Sequence, residues 1–450
     1  MFNLPKDTVM TTTLLQEYIQ KHKQLVTNRF EPLYKMYKSE HEILNAKKKG
    51  DNKPDNRIVI NFAKYIVDTM NGFFIGNPIK ITTDDEQTAE FVEYIDQYND
   101  QDDNNAELSK ICDIFGRGYE MYYVDEHSNL CITFLTPIEA FMIYDDSIIE
   151  RPMFFVRYYK DHEGNEWGSV SNKYGVRNFK INGDVSWLDD DWQLHNFGDV
   201  PATEYMENAE RQGIFEPVIT PINAYNKAIS EKANDVDYFA DAYMKILGVK
   251  LEKEDAAFIR DTRILNFEGE DAEKLIVEFM DKPNSDTTQE NLLNRLERLI
   301  FHIAMVANIS DEKFGAATGI SLKYKLQAMS NLAKTKERKF TSGMNRRYKI
   351  LFSNPLSKAP ADAWIKLKYK FTPNIPANNL EEAEIATKLE GQVSKETQLK
   401  VLSVVDNVHE EMKRLEEENK APESTIVDKM MFGKTEQVEG GANGSEEDET

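Results

Sequence analysis

Apolar residues recur every three or four positions over several stretches of this chain and give way, over a block between them, to short runs of aromatic and β-branched residues. Residues 11–45 carry Leu14, Leu15, Tyr18, Ile19 and Leu25 at helical spacing, and the polar run Lys47–Pro54 breaks the pattern. A second helix is predicted over Asn56–Phe74, with Ile60, Ala63, Ile66, Val67 and Met70 on one face and Gly76-Asn77-Pro78 as its stop. Ile79–Thr83 then reads as a short strand. Residues 84–105 read as a short helix and an acidic, Asn-rich loop, and Glu107–Phe115 as another helix.

The pattern changes after Gly116-Arg117-Gly118. Tyr119–Val124, Leu130–Leu135, Ala140–Tyr144, Met153–Tyr159 and Val176–Ile181 are rich in aromatic and β-branched residues and separated by turns such as Asn182-Gly183. They predict an antiparallel sheet in an α+β block. From Pro217 the helical period returns: Ile222, Tyr225, Ile229, Ala233, Val236, Ala240, Tyr243 and Leu247 predict one long helix ending near Gly248. A small insert over 249–285, with strand-like Arg263–Phe267 and Leu275–Met280, precedes a helix over Thr287–Asn308 with Leu292, Leu296, Leu299, Ile303 and Val306 inward. A glycine-bearing loop, Ile309–Gly319, leads to a long helix over Ile320–Leu351. A late strand, Trp364–Phe371, and a charge-rich helical stretch over 379–420 complete the pattern.

Charge narrows the function classes. The 450 residues carry a net charge of −23, which repels nucleic acid at long range, so any dealings with DNA rest on local geometry. Residues 1–20 lack a basic start followed by an apolar core, and Leu299–Ile309, the longest apolar run, is too short for a bilayer. Neither secretion by the usual route nor membrane insertion is expected. Cys112 and Cys131 form no CxxC pair, which argues against structural zinc and suits a reducing compartment.

Candidate chemistry is sparse. Gly315–Ser321 lacks the lysine of a phosphate-binding loop. Asp84-Asp85-Glu86 and Asp189-Asp190-Asp191 lack the alternation of a calcium loop and read as solvated carboxylates. The seven histidines are scattered, and His302, on an apolar helix face, reads as a packing residue. No catalytic residue, metal site or cofactor is expected. The strongest charge feature is the stretch Ile320–Ile350, where nine Lys and Arg residues stand against Glu337 alone. In so acidic a chain, Lys334, Lys336, Arg338, Lys339, Arg346 and Arg347 are expected to meet acidic neighbours, supplied by adjoining subunits; direct DNA binding ranks second.

Three stretches, in this order, resemble the portal proteins of tailed bacteriophages, of the type found in long-tailed phages of Gram-positive hosts. They are Asn56–Pro78 (NRIVINFAKYIVDTMNGFFIGNP), Asp311–Lys325 (DEKFGAATGISLKYK) and Gly391–Val405 (GQVSKETQLKVLSVV). The resemblance covers about residues 15–420. It implies a portal-like α+β fold: a wing over 1–216, stem helices over 217–248 and 286–308, an α/β clip over 249–285 and a tunnel loop over 309–319. A long wing helix and closing strand would span 320–378 and a helical crown 379–425, with 426–450 a disordered tail.

The resemblance further implies a non-enzymatic homo-oligomeric ring, in the family usually of twelve, at a capsid vertex of the virion and assembled in the host cytoplasm. Double-stranded DNA would pass through its channel non-specifically during packaging and ejection. Terminase, head–tail adaptor, capsid and scaffolding proteins would be its partners, with no membrane involved. Asp311, Glu312, Lys313, Phe314, Gly315 and Gly319 would form the channel loop. Two other readings are a DNA-packaging terminase or nuclease, and another virion structural adaptor. The first needs a Walker lysine, which is absent.

Overall fold

The computed structural model describes residues 2–49, 53–240, 244–247, 276–279, 286–309, 324–375, 379–402, 404–405 and 408–420. The chain divides into two compact units, residues 1–374 and 375–450. Strand β1 (Phe2–Leu4) leads into α1 (Thr12–Leu25), whose N-cap Thr11 accepts from the Leu14 N–H. A π-helical turn, Val26–Phe30, and α2 (Glu31–Tyr37) follow, so the expected helix over 11–45 is interrupted and stops early.

The next helix, α3, runs over Phe62–Ile75 rather than from Asn56. The residues before it are extended because their backbone donors have partners elsewhere. Asn56, Ile58 and Ile60 donate N–H to Asn234 Oδ1 (2.6 Å), Ser230 Oγ (2.9 Å) and Asn226 Oδ1 (2.9 Å). Strand β2 (Lys80–Thr82) and helices α4 (Glu86–Tyr98) and α5 (Gln101–Phe115) come next. The predicted Asn-rich loop is the first turn of α5: Asp102 and Asp103 face the positive end of the helix dipole, where acids stabilise. Gly116 closes α5 at φ +81, and a Cβ there would lie 2.1 Å from the Arg211 carbonyl oxygen.

The block after Gly116 forms two sheets rather than one. Its strands are β3 (Arg117–Val124), β4 (Leu130–Leu135), β5 (Ala140–Asp145), β6 (Pro152–Lys160), β7 (Glu166–Ser171), β8 (Gly175–Asn182), β9 (Asp184–Trp187), β10 (Gln193–Leu194) and β11 (Ala202–Met206). One sheet runs β1-β5-β6-β7-β8-β10 with β9 on β8; the other runs β11-β3-β4. Only β1 pairs parallel, on β5, and the rest of the large sheet is antiparallel. The sequence pattern missed β7 because Gly168 and its serines carry little apolar signal. Gly168 is needed where Phe179 crosses: a Cβ there would meet that ring at 2.3 Å. Helix α1 covers one face of the large sheet through Leu15, Tyr18 and Ile19 against Phe141, Val156 and Phe179.

Helix α6 spans Ile219–Ala240, shorter than expected, and Met244–Leu247 is a strand, β12, paired with β13 (Ile276–Phe279). The predicted strand Arg263–Phe267 lies outside the described residues. Helix α7 (Asp286–Ala304) packs on α6 and ends where Met305 takes φ 59. Helix α8 (Gln327–Phe352) and β14 (Lys368–Lys370), paired with β2, complete the first unit. The second unit holds α9 (Asn379–Leu389), α10 (Lys395–Leu399), capped by Ser394, and α11 (Val408–Lys420). Among the described residues, no helix is long and apolar enough to cross a membrane.

Candidate functional site

The basic helix α8 lies in the largest core, with Phe340, Met344, Tyr348 and Leu351 in it, and packs against β11 and α3. Its approach to β11 requires Gly343, where a Cβ would stand 2.4 Å from the Tyr205 ring. The same face carries two cations. Lys336 is 1% exposed; its Nζ lies 2.6 Å from Asp113 Oδ1 and 3.2 Å from Glu207 Oε2, and donates to the Ser109 carbonyl at 3.2 Å. Burial opposes the ammonium, but the two acids outweigh it and raise the Lys336 pKa. Burial and the nearby Glu207 push Asp113 well above the usual carboxylate range, against the pull of Lys336.

Arg347 is the second buried cation, fully enclosed. Its Nε donates to Glu120 Oε2 at 2.9 Å, and its Nη2 donates to Glu120 Oε1 and to Asn105 Oδ1 (2.6 Å). The Tyr122 hydroxyl donates to the same carboxylate at 3.0 Å. The forked geometry is one that arginine offers and lysine does not. Beside it, Tyr348 donates to Asp96 Oδ1 at 2.9 Å, and burial raises Asp96 to about 6 despite Arg347 nearby. Arg346 reaches Asp199 Oδ2 at 2.9 Å. A further buried acid, Glu204, is held below its ordinary pKa against burial by Arg117 at 3.4 Å and Arg211 at 3.0 Å.

These contacts correct the expected role of the basic helix. Lys336 and Arg347 pair with acids of their own chain on α5, β3 and just beyond β11, so neither is available to a neighbouring subunit. Arg346 is likewise taken up in part by Asp199. Lys334 and Arg338 are exposed and Lys339 is half-buried. The acids Asp113, Glu120, Glu204 and Glu207 were missed, although Asp113 in ICDIF and Glu120 in GYEMYY carry a legible signal: an acid inside an apolar run.

The stem-like helices also differ from expectation. On α6 the buried positions include Ile222, Asn226, Ser230 and Asn234, four residues apart, and the three polar ones hold the extended segment 56–60. On α7, Leu293, Ile300 and Ala304 face inward. The predicted inward residues Leu292, Leu299 and Ile303 are exposed, and so is His302, which therefore does not serve as a packing residue. The helix carries two apolar stripes, and the single chain buries one. Nor do the acidic runs only face solvent: Asp85 caps α4 through the Thr88 N–H, and Asp189 accepts from the Asn178 N–H. Asp311, Glu312, Lys313, Phe314, Gly315 and Gly319 lie outside the described residues, as do residues 421–450.

Residues 16–424 match the family described as phage portal protein, SPP1 Gp6-like. The chain belongs to this family. The portal protein of Clostridium phage phiCD119 is 23% identical over 423 residues, covering 83% of this chain and 87% of that relative. The portal protein of Bacillus phage SPP1 is 23% identical over 453 residues, covering 90% of this chain and 86% of the relative. A solved structure, the neck of an empty GTA particle computed with C6 symmetry, shares 11% identity over 76% of this chain and 90% of that one. Its TM-score of 0.46 is too low to bear on function. The fold is α+β, and the chain is a phage portal protein by family.

Proposed function

We propose that this portal-family chain assembles into a closed ring, of twelve copies by family resemblance, at one vertex of a phage capsid. Double-stranded DNA passes through its channel during packaging and ejection. Family membership over 16–424 carries the reading. In this assignment α6 and α7 are the stem, β12 and β13 belong to the clip that docks terminase and the head–tail adaptor, and residues 379–425 form the crown. Residues 309–319 are the loop that meets DNA. The ring does no chemistry of its own; the chain's charge of −23 favours DNA that slides over DNA that sticks.

The exposed stripe Leu292, Leu299 and Ile303 supports an assembled state, because an aligned apolar face on a helix is stabilised when a neighbour covers it. Electron microscopy and mass measurement of the purified chain test the reading: rings with a central channel are expected. A strictly monomeric protein at all concentrations refutes it, and ATP turnover by the purified chain would favour a packaging enzyme instead.

A further inference from the structure

The turn joining β5 to β6 exposes two adjacent isoleucines. Ile148 is fully exposed and Ile149 is 70% exposed. Single exposed aliphatics are ordinary, but two together at the tip of a hydrogen-bonded turn are not. The turn is fixed from below. Asp145 is buried, and its Oδ1 accepts from Ser147 Oγ (2.6 Å), Ser147 N–H (3.3 Å) and Arg151 N–H (2.9 Å). The Asp146 N–H donates to the Leu4 carbonyl of β1 at 3.0 Å. The isoleucines are thus presented on a pre-organised support, so docking them orders little new chain. Asp146 and Glu150 flank them on the exposed tip, with Arg151 beyond.

A matching surface exists elsewhere on the same chain. A cleft of about 730 Å³ opens between the two sheets and the residues after α8. Tyr123, Val124, Leu194 and Leu356 line it, and all four are exposed. Its basic lining consists of Arg157 and His195; among the described residues no aspartate or glutamate lines it, in a chain with 78 acids. Asn354, 3% exposed, also lines it, and its Nδ2 has no hydrogen-bond partner among the described residues. None of residues 145–151 lines the cleft of its own chain.

We propose that the Ile148–Ile149 tip of one copy seats in the cleft of the next copy, with Glu150 and Asp146 facing Arg157. An apolar tip flanked by Asp146 and Glu150 and an acid-free cleft that offers both apolar side chains and Arg157 are complementary in charge. Tip and cleft are different patches of one chain, so the contact is head-to-tail. Repetition of a head-to-tail contact builds a ring when its rotation closes and a filament when it does not, whereas a tip-to-tip contact would stop at a dimer. The inference rests on the ring reading and assigns part of its subunit interface to the sheet region.

The test uses the full-length chain. A double variant, Ile149→Cys with Leu194→Cys, is treated with a short bismaleimide; Cys112 and Cys131 are buried and remain as background. A ladder of cross-linked species is expected from the double variant and from neither single variant. In parallel, Ile148→Asp with Ile149→Asp should raise the concentration for half-assembly by at least about tenfold, with unchanged monomer unfolding because the tip is solvent-facing. Glu150→Lys should weaken assembly, and adding Arg157→Glu should restore it. Rings that form without cross-links, and a double-aspartate variant that assembles like the wild type, overturn this contact alone. A wild-type chain that never forms rings overturns the ring reading and the contact with it.

Discussion

Replacing Lys336 by methionine keeps an apolar side chain of similar length and removes the ammonium that faces Asp113 and Glu207 and stands 5.2 Å from the centre of the Phe74 ring. All three groups are at most 3% exposed. Breaking a buried ion pair by deleting one partner typically costs about 3–5 kcal/mol, because the remaining charge is left in a medium that solvates it poorly. Two features place this site at the lower end. Methionine retains most of the packing volume, and Asp113 already binds a proton readily because burial and Glu207 raise its pKa. About 3 kcal/mol at pH 7 is the expected loss, measured by urea unfolding of the full chain. Without the lysine the Asp113 carboxyl, already raised by burial, takes up a proton as the pH falls, so the loss should be larger at pH 8 than at pH 5. A second variant, Lys336→Met with Asp113→Asn and Glu207→Gln, should recover most of the stability. Lys334→Met, on the exposed face, should stay within about 0.5 kcal/mol of wild type. A Lys336→Met loss below about 1 kcal/mol, or one equal to that of Lys334→Met, would refute the reasoning.

Three further expectations are independent of that site. His22 is buried on the inner face of α1, with Nδ1 2.8 Å from the Tyr158 hydroxyl and Nε2 2.9 Å from the Pro137 carbonyl, and burial lowers its pKa from 6.5 to about 4. A base with a depressed folded pKa contributes stability that is full above 6.5 and lost as the pH falls toward 4, here at most about 3 kcal/mol; wild type should lose that much more than His22→Gln over this window in pH-dependent unfolding. Asn226→Ala with Ser230→Ala removes partners of Ile60 and Ile58 and should cost about 1 kcal/mol per hydrogen bond, with faster amide exchange confined to residues 56–60 as the check. Deleting residues 426–450, a polar segment rich in Gly and Glu, should leave ring assembly unchanged by electron microscopy.

Helix and strand periods on this chain are local properties, and they were legible wherever burial follows local apolar pattern. Leu130–Leu135 is the strand its aromatic and β-branched residues predict, and α3 buries Ala63, Ile66, Val67 and Met70 as its spacing requires. The absence of a Walker lysine and the order of the three portal-like stretches were likewise written in residue identity. What the sequence left open depended on which polar groups meet. The same charge pattern on α8 describes a helix facing acidic subunits or one enclosed by its own acids. Only the packing of α5, β3 and β11 puts Lys336 and Arg347 in the second situation. Residues 56–60 are apolar enough for helix, and the side chains that hold them extended lie more than 160 residues away on α6. On α7 two apolar stripes compete for one core, and a one-residue difference in helix rotation decides which is buried. Long-range partners have no local period, so they emerge only when the chain is folded.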